Sequence, residues 1–305
     1  MSGVLTIAIL SRGPSLYSTQ SLVRAGREAG HQVKVIDHMG CDLSITQNKP
    51  MVYYYGRDCK DFDAVIPRIG ASVTTHGAAV IRHFELMGCF STLTSAALLR
   101  TRNKLSALQI LACNGIDIPR TIMPSTRAMA HGFLDKIGRP PYVIKVASGT
   151  HGAGVLKAES KQAAINLLDA FYQLKEMVIV QEFVAESAGR DIRIIVVGDK
   201  VVAAMERRSN SNDFRSNLHL GGSSTLVELS QKEREIAIEA SRLMGLQVAG
   251  VDILRSKRGP LVLEVNASPG LEGIEKTTGI DIASHIIKLI EGELIEQRKS
   301  EYEGN

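Results

Sequence analysis

The feature that most constrains this chain is a pair of strand-length apolar segments near its C-terminal end. Residues 248–255 and 259–266 are separated by a short basic turn, which predicts a β-hairpin. If the hairpin is centred on Arg258, Asp252 lies directly opposite Glu264. The two carboxylates would then share one face of a sheet.

Asn266 follows two residues after Glu264 and shares that face. Because Cβ atoms of opposed residues are about 5 Å apart, the carboxylates of Asp252 and Glu264 would repel each other. We expect the apolar neighbours to shield this face from water, so that the charges need a cation. An all-oxygen set of this kind suits Mg²⁺. The alternative is a solvated face with scattered carboxylates, which does not explain the carboxamide at the next inward position.

A second candidate site begins at Lys145, inside the apolar segment 142–147. An unpaired ammonium group is costly in such surroundings, and a polyanionic ligand would offset the cost. The following residues supply Gly149, Gly152 and Gly154. Glycines at a hairpin tip let backbone N–H groups approach phosphate oxygens. Beside a Mg²⁺ site this pattern predicts phosphate binding, whereas alone it also fits an ordinary glycine-rich turn.

A third candidate is the basic stretch from Arg207 and Arg208 to Arg215. Arginine side chains bind carboxylates and phosphates through two parallel hydrogen bonds. We therefore interpret Arg207 and Arg215 as anion-binding residues, with an ordinary charged loop as the alternative. Zinc-protease and serine-hydrolase motifs are absent from the sequence.

Composition excludes several other classes of protein. The chain has 305 residues, 44% of them hydrophobic and 22% charged, which is typical of a globular protein with a sizeable core. Its four cysteines lack metal-like spacing and fit free thiols in a reducing cytosol. No apolar run reaches the roughly 18 residues of a membrane span, and the start does not resemble a signal peptide. The net charge of +4 is too small to demand nucleic acid.

The pattern of helices and strands changes near residue 94. Before it, strand and helix signals alternate, which predicts a small open parallel sheet; after it, hairpins dominate. The predicted strands are 4–10, 33–36, 64–66, 142–147, 155–156, 177–184, 191–197, 200–207, 248–255 and 259–266. The predicted helices are 18–30, 94–114, 230–243 and 280–297. The glycine fingerprints of nicotinamide oxidoreductases and P-loop proteins are missing, which argues against both classes.

In this order the elements resemble the ATP-grasp superfamily, and within it the RimK-type ribosomal-protein glutamate ligases. The matching segments are 9–12, 64–70, 101–104, 180–183, 213–219 and 264–279. The resemblance implies a mixed α/β (α+β) ATP-grasp fold, in which two subdomains grip ATP behind a small parallel α/β domain. The implied divisions are a pre-ATP-grasp domain at 1–93, a central subdomain with a phosphate lid at 94–180, a C-terminal subdomain with the metal site at 181–297, and a tail at 298–305.

The same resemblance assigns roles to individual residues. ATP would be bound by Lys104, Lys145, Gly149, Gly152, Gln181, Glu182, Phe183, Val184, Asp191, Arg215, Ser216 and Asn217. Two Mg²⁺ or Mn²⁺ ions would be held by Asp252, Glu264 and Asn266, with Glu264 bridging them. The catalytic residues would be Arg207 and Arg215, which stabilise the reacting carboxylate and phosphoryl group.

The implied reaction forms an amide through an acyl phosphate made from a carboxylate and ATP. The acceptor would be the C-terminus of a small-subunit ribosomal protein and the amine L-glutamate. The enzyme would be cytoplasmic and a homo-oligomer such as a tetramer, with no direct contact with nucleic acid or membrane. Ser148, His151 and Leu220 depart from the family pattern, the last at a position expected to affect acceptor or glutamate binding. Two alternatives stay open: a small-molecule or cofactor acceptor, and a module that holds ATP without turnover.

Overall fold

The computed structural model describes residues 3–47, 49–146, 154–210 and 221–303. The N-terminal part consists of β1 (Thr6–Leu10), α1 (Tyr17–Glu28), β2 (Gln32–Ile36), β3 (Cys41–Ser44), β4 (Met51–Tyr54), β5 (Arg57–Asp58), β6 (Ala64–Pro67), α2 (Thr74–Leu86) and β7 (Phe90–Ser91). A parallel sheet forms in the order β2-β1-β6-β7, as the alternating pattern predicts. Ile7 and Ile9 on its inner strand are fully buried, because helices cover both faces, and the strand is therefore continuously apolar.

The middle part contains α3 (Ser95–Arg102), α4 (Lys104–Cys113), β8 (Thr121–Ile122), α5 (Arg127–Ile137), β9 (Tyr142–Val146), β10 (Val155–Ala158), α6 (Lys161–Gln173) and β11 (Val178–Glu182). Its strands form an antiparallel sheet in the order β10-β9-β11-β8. The prediction of one helix over 94–114 was wrong, because Asn103 divides it. The Asn103 side chain accepts a hydrogen bond from the backbone N–H of Ser106 at 3.0 Å and so caps α4.

The C-terminal part contains β12 (Arg190–Val197), β13 (Lys200–Arg208), β14 (Ser223–Leu226), α7 (Gln231–Met244), β15 (Val248–Ser256), β16 (Gly259–Asn266), α8 (Glu272–Thr278) and α9 (Ile282–Glu303). The strands form an antiparallel sheet in the order β14-β13-β12-β15-β16. The last helix was predicted to end at residue 297, but α9 continues to Glu303.

The other predicted helices and strands are present, with ends that differ by a few residues. The sequence did not predict α2, α5, α6, α8 or the sheet of β3, β4 and β5. Strands of two to four residues are too short for an alternating pattern to be recognised. The four cysteines are free thiols, as predicted. Within the described ranges, no helix combines the length and the apolar character needed to cross a bilayer.

Buried apolar side chains form three clusters that divide the molecule unevenly. One cluster joins Phe84 of the N-terminal part to Val262 of β16, and a second joins Leu22 of α1 to Ile286 of α9. The third contains only residues between 130 and 180. Leu98 of α3 and Leu111 of α4 belong to the first cluster. The N-terminal and C-terminal parts therefore share their cores, together with α3 and α4, whereas the segment from β8 to β11 packs around a core of its own.

Candidate active site

The predicted pairing of Asp252 with Glu264 is confirmed, but the turn that leads to it differs from the predicted turn. The turn contains two residues instead of being centred on Arg258, because Ser256 pairs with Gly259. The register then shifts at a β-bulge just before the acidic pair. In a regular ladder with this turn, the two carboxylates would lie on opposite faces of the sheet. The extra residue of the bulge brings them onto the same face.

The strand register places a row of charged side chains on one face of the five-stranded sheet. Asp191 lies directly opposite Arg207, and Arg193 lies directly opposite Asp252. Because Asp191 and Arg193 are two residues apart on β12, they share that face. Glu264 extends the row onto β16. We call these five residues the charged row.

Within the charged row, three buried side chains are closely paired. Arg207 donates from Nε and Nη2 to the carboxylate of Asp191, at 2.6 and 2.8 Å. Its Nη2 also lies 3.1 Å from Oδ2 of Asp252. Asp191, Arg207 and Asp252 are only 6, 6 and 4% exposed, so their charges are compensated inside the protein and not by bulk water.

Arg193 contacts the other side of Asp252, and our sequence analysis did not single it out. Its Nη2 donates to Oδ2 at 2.7 Å, and its Nε donates to Oδ1. The only signal in the sequence was the alternation of charged and apolar residues at the start of the strand, from Asp191 to Arg193. Charged side chains at every second position of an otherwise apolar strand indicate a shared functional face.

The electrostatics explain how this pairing persists. Burial alone would raise the pKa of Asp252, but Arg193 and Arg207 outweigh it and hold that pKa below its usual value. Burial alone would lower the pKa of Arg207, and the carboxylates of Asp252 and Asp191 raise it instead. Asp252 and Arg207 therefore both stay charged at neutral pH. The sequence indicates that the acidic pair needs a cation, and for Asp252 the protein itself supplies positive charge through Arg193 and Arg207.

The rest of the predicted metal set lies nearer the surface. Glu264 is exposed, so the expected shielding from water holds for Asp252 but not for its partner. The Asn266 amide donates from Nδ2 to the Gly250 carbonyl at 3.3 Å and to Oδ2 of Asp252 at 3.4 Å. This orientation leaves the Asn266 amide oxygen without a hydrogen bond in the described part of the chain.

These oxygens fit a hard divalent cation in donor type. Oδ1 of Asp252 accepts from Arg193 alone and keeps a second lone pair, while Glu264 and the Asn266 amide contribute further oxygens. Over the described ranges, no three His, Cys, Asp or Glu side chains are grouped closely enough to hold a metal by themselves. A bound ion here would therefore depend on the amide and on oxygens from the substrate.

Two predicted phosphate-binding lysines lie within electrostatic reach of Glu264. Lys145, on β9, is half-buried; burial lowers its pKa to about 8, although Glu264 acts in the opposite direction. Burial also lowers the pKa of Lys104, again against the effect of Glu264. Burial therefore disfavours the charged form of Lys145, as predicted for an ammonium group in this strand. Both lysines lie within electrostatic range of Glu264, at the acidic end of the charged row.

The segment predicted to hold adenine lies at the end of β11. The Gln181 side chain is buried and donates to Oγ1 of Thr121 at 2.8 Å. The Glu182 carboxylate accepts from the backbone N–H of Arg120 at 2.7 Å and pairs with Arg258 in the β15–β16 turn. The Glu182 carboxylate therefore joins the middle part to the C-terminal part.

The next two residues of this segment also have contacts inside the protein. The Lys157 ammonium lies 4.6 Å from the centre of the Phe183 ring, and Val184 is buried. Several predicted site residues lie outside the described residues: Gly149, Gly152, Arg215, Ser216 and Asn217, together with Ser148, His151 and Leu220.

Two family models match consecutive parts of the chain. A RimK PreATP-grasp domain matches residues 5–98, and a RimK-like ATP-grasp domain matches residues 101–290. The chain belongs to the RimK-like ATP-grasp family. This RimK-like protein is an ADP-forming ATP-grasp ligase that joins a carboxylic acid to an amino acid. Its predicted mixed α/β fold class is confirmed.

Similar proteins cover nearly the whole chain. A probable alpha-L-glutamate ligase of Ectopseudomonas mendocina is 50% identical over 287 residues, which are 94% of this chain and 95% of that protein. A protein of the same name from Pseudomonas aeruginosa is 52% identical over the same coverage. The ATP-grasp ligase PsnB, complexed with its minimal precursor, has a TM-score of 0.74 at 22% identity, covering 94% of this chain and 98% of that chain. D-cycloserine synthetase DcsG has a TM-score of 0.70 at 18% identity, covering 95% and 99%.

Proposed function

We propose that this RimK-like ligase adds L-glutamate residues to the C-terminus of a small-subunit ribosomal protein. The observation that carries the proposal is the 50% identity, over 94% of this chain, to a protein named probable alpha-L-glutamate ligase. A peptide acceptor is supported by PsnB, a ligase of the same fold solved with a precursor peptide. The assignment of a ribosomal acceptor rests on the resemblance of the sequence to the RimK-type ribosomal-protein glutamate ligases.

The charged row supports the first half of the reaction. The acceptor carboxylate attacks the γ-phosphate of ATP, which produces an acyl phosphate and ADP. Arg207 is held by Asp191 and Asp252 and cannot rotate freely, so its guanidinium is preorganised for charge on the transferring oxygens. Lys104 and Lys145 bind the phosphates. We propose that Asp191 acts mainly through Arg207.

The second half of the reaction is attack by an amine. The amine nitrogen forms a bond to the carbonyl carbon and gives up a proton to the leaving phosphate or to solvent, the bond from that carbon to the phosphate oxygen breaks, and phosphate leaves. Water has to be excluded in between, because it would hydrolyse the acyl phosphate. The residues around 149 and 152 would cover the phosphates, and those from 215 to 217 would contact the nucleotide.

We propose that Asp252, Glu264 and Asn266 bind two Mg²⁺ or Mn²⁺ ions. When bound, such ions neutralise charge on the phosphate oxygens of ATP. Glu264→Gln keeps the size of the side chain and removes one negative charge, so we expect ADP release to fall by about 100-fold or more. Glu272→Gln is the control, because Glu272 lies on α8 and its exposed carboxylate pairs with Lys276. Similar rates for the two variants would remove Glu264 from the metal site.

The proposal retains the division at 1–93, 94–180 and 181–297, with a tail at 298–305. It also retains a cytoplasmic homo-oligomer without direct contact with nucleic acid or membrane. The N-terminal domain would supply substrate contacts and the other two would enclose ATP.

The acceptor is tested by incubating the purified protein with ATP, Mg²⁺, L-glutamate and a mixture of ribosomal proteins. Intact-mass spectrometry should show one small-subunit protein gaining mass in steps of one glutamate residue. Omitting ATP should abolish the gain. If no protein changes mass while a small carboxylic acid is consumed, the acceptor is a small molecule and the ribosomal assignment is wrong.

A further inference from the structure

Three arginines from the N-terminal half meet at one edge of the parallel sheet. Arg12 follows β1 and Arg68 follows β6, so both lie at the carboxyl ends of adjacent strands. Arg102 is the last residue of α3. In open α/β sheets, the crevice outside the carboxyl ends of the strands is where ligands bind. We call these three residues the arginine cluster.

The loop that follows β6 holds two members of the arginine cluster together. Nη2 of Arg102 donates to the carbonyl of Ile69 at 2.6 Å. Nη2 of Arg12 contacts Oγ of Ser72 at 3.5 Å. The same guanidinium lies against Gly70, where an added Cβ atom would stand only 3.3 Å from it. The two guanidinium groups therefore approach the same short loop, and Arg68 lies immediately before it.

The arginine cluster also borders the candidate active site. Nη2 of Arg68 donates to the carbonyl of Pro269 at 2.7 Å, in the loop just beyond Asn266 at the end of β16. The carboxylate of Glu264 acts electrostatically on Arg102. A ligand bound by the cluster would therefore lie beside the acidic end of the charged row.

The cluster lacks the anionic partners that the charged row has. In the part of the chain that the structure describes, no carboxylate forms an ion pair with Arg12, Arg68 or Arg102, whereas Arg193 and Arg207 are both paired. Nε of Arg102 is buried without a hydrogen-bond partner. Burial lowers the pKa of Arg68 to about 10, with no carboxylate opposing it. Leaving charged donors unpaired in this way is costly, and an anionic ligand would remove the cost.

We propose that Arg12, Arg68 and Arg102 bind the carboxylates of the incoming dicarboxylic amino acid. The inference rests on the glutamate ligase function proposed above and assigns one of its two substrates to a place. The acceptor carboxylate has to reach the γ-phosphate over the charged row, so it does not need a second set of arginines. The amino acid carries two carboxylates that take no part in the reaction and need forked donors.

The position also suits the chemistry of the amine. An ammonium group has to lose a proton before its nitrogen can attack the acyl phosphate. Neighbouring positive charges favour that loss, because like charges destabilise the protonated form. The arginine cluster would thus bind the carboxylates and promote the reactive state of the nitrogen between them.

Arg12→Gln tests the proposal, because Arg12 is exposed and its removal leaves no buried charge. We expect the KM for L-glutamate to rise by about tenfold or more, while the KM values for ATP and acceptor stay within about twofold. Arg102→Lys keeps the charge but loses the fork, and should produce a rise in the same KM. Arg27→Gln, at an exposed position on α1, is the matched control and should change none of them.

Calorimetric titration of L-glutamate into the protein with ADP and Mg²⁺ separates the outcomes. Wild type should bind L-glutamate more tightly than L-norvaline, which lacks the side-chain carboxylate, and Arg12→Gln should lose this preference. If wild type ligates glutamate and Arg12→Gln keeps its KM and its preference, the inference is overturned and the proposed function stands. A rise in the acceptor KM alone also overturns it, by assigning the cluster to the acceptor. If Arg12→Gln loses glutamate binding but wild type forms no glutamate product, the proposed function fails while the subsite stands.

Discussion

At the scale of single residues, the proposed chemistry depends on charges that are paired across neighbouring strands. Asp191 with Arg207 and Arg193 with Asp252 are opposed pairs in the strand register. Removing one member of a buried pair leaves an uncompensated charge and typically costs about 3–5 kcal/mol. Substitutions in this row therefore reduce stability as well as activity, whereas the exposed Glu264 can be changed for its charge alone.

If Lys145 binds the ATP phosphates as proposed, nucleotide binding depends on pH. Its pKa, lowered to about 8 by burial, lies below that of a free lysine, so its positive charge is lost as the pH rises through 8. The affinity for the ATP analogue AMPPNP should therefore fall by up to about tenfold between pH 7.5 and 9, measured by calorimetry. Lys161→Arg is the control and should keep the fall, because Lys161 is bound to Asp135 at 2.7 Å away from the site. A flat profile in the wild type would contradict a role for the Lys145 charge.

At the scale of helices and strands, two local irregularities place the functional side chains. The β-bulge in β16 brings Glu264 onto the face of Asp252. The break at Asn103 makes Lys104 the first residue of a new helix instead of an interior residue of a long one. Both features interrupt a regular pattern by one residue, and neither was predicted from the sequence. The two cases differ in their effect on the predictions. The hairpin was predicted with one extra residue in its turn, which gives the same pairing of Asp252 with Glu264, whereas the break at Asn103 was not predicted at all.

Asn103→Ala should impair both stability and nucleotide binding. Loss of the cap on Ser106 should lower the free energy of unfolding by about 1 kcal/mol. Because Lys104 then begins a frayed turn, the KM for ATP should rise about threefold or more. Ser230→Ala removes the equivalent cap of α7 and should cost about as much stability without changing that KM. Denaturant unfolding and steady-state kinetics measure both quantities. Equal KM values in the two variants would show that the break does not position Lys104.

At the scale of the whole molecule, the distribution of the cores sets which parts move together. The N-terminal and C-terminal parts share two apolar clusters, the first of which also includes α3 and α4, while the segment from β8 to β11 has a separate one. Glu182 contacts Arg120 and Arg258, and so joins the segment from β8 to β11 to the C-terminal part near the predicted adenine segment. Because independent cores can open independently, we expect the segment from β8 to β11 to open without disturbing the other two cores.

Leu168→Ala should loosen only the segment from β8 to β11. Leu168 is fully buried in the third cluster, and its truncation typically costs about 2–5 kcal/mol. In hydrogen exchange followed by mass spectrometry, amides between 121 and 182 should exchange faster, and those of β1 and β12 should not. Leu22→Ala, in a shared cluster, should accelerate exchange in β1 and in α9 together. A uniform response to Leu168→Ala would show that the molecule opens as one unit.

The order of the longer strands, the opposed acidic pair and the family could be predicted from the sequence, because these depend on patterns that extend over a few residues. Alternating apolar residues mark strands, turn residues mark hairpins, and the strand period of two determines which side chains share a face. Thus the pairing of Asp252 with Glu264 was predicted although its turn was not.

Which distant residues meet could be learned only from the packed molecule. The pairing of Arg193 with Asp252 joins strands far apart in the sequence. The arginine cluster brings together Arg12, Arg68 and Arg102 through one loop. No local period encodes such contacts, because they arise when separate elements are packed around common cores and their polar groups must find partners there.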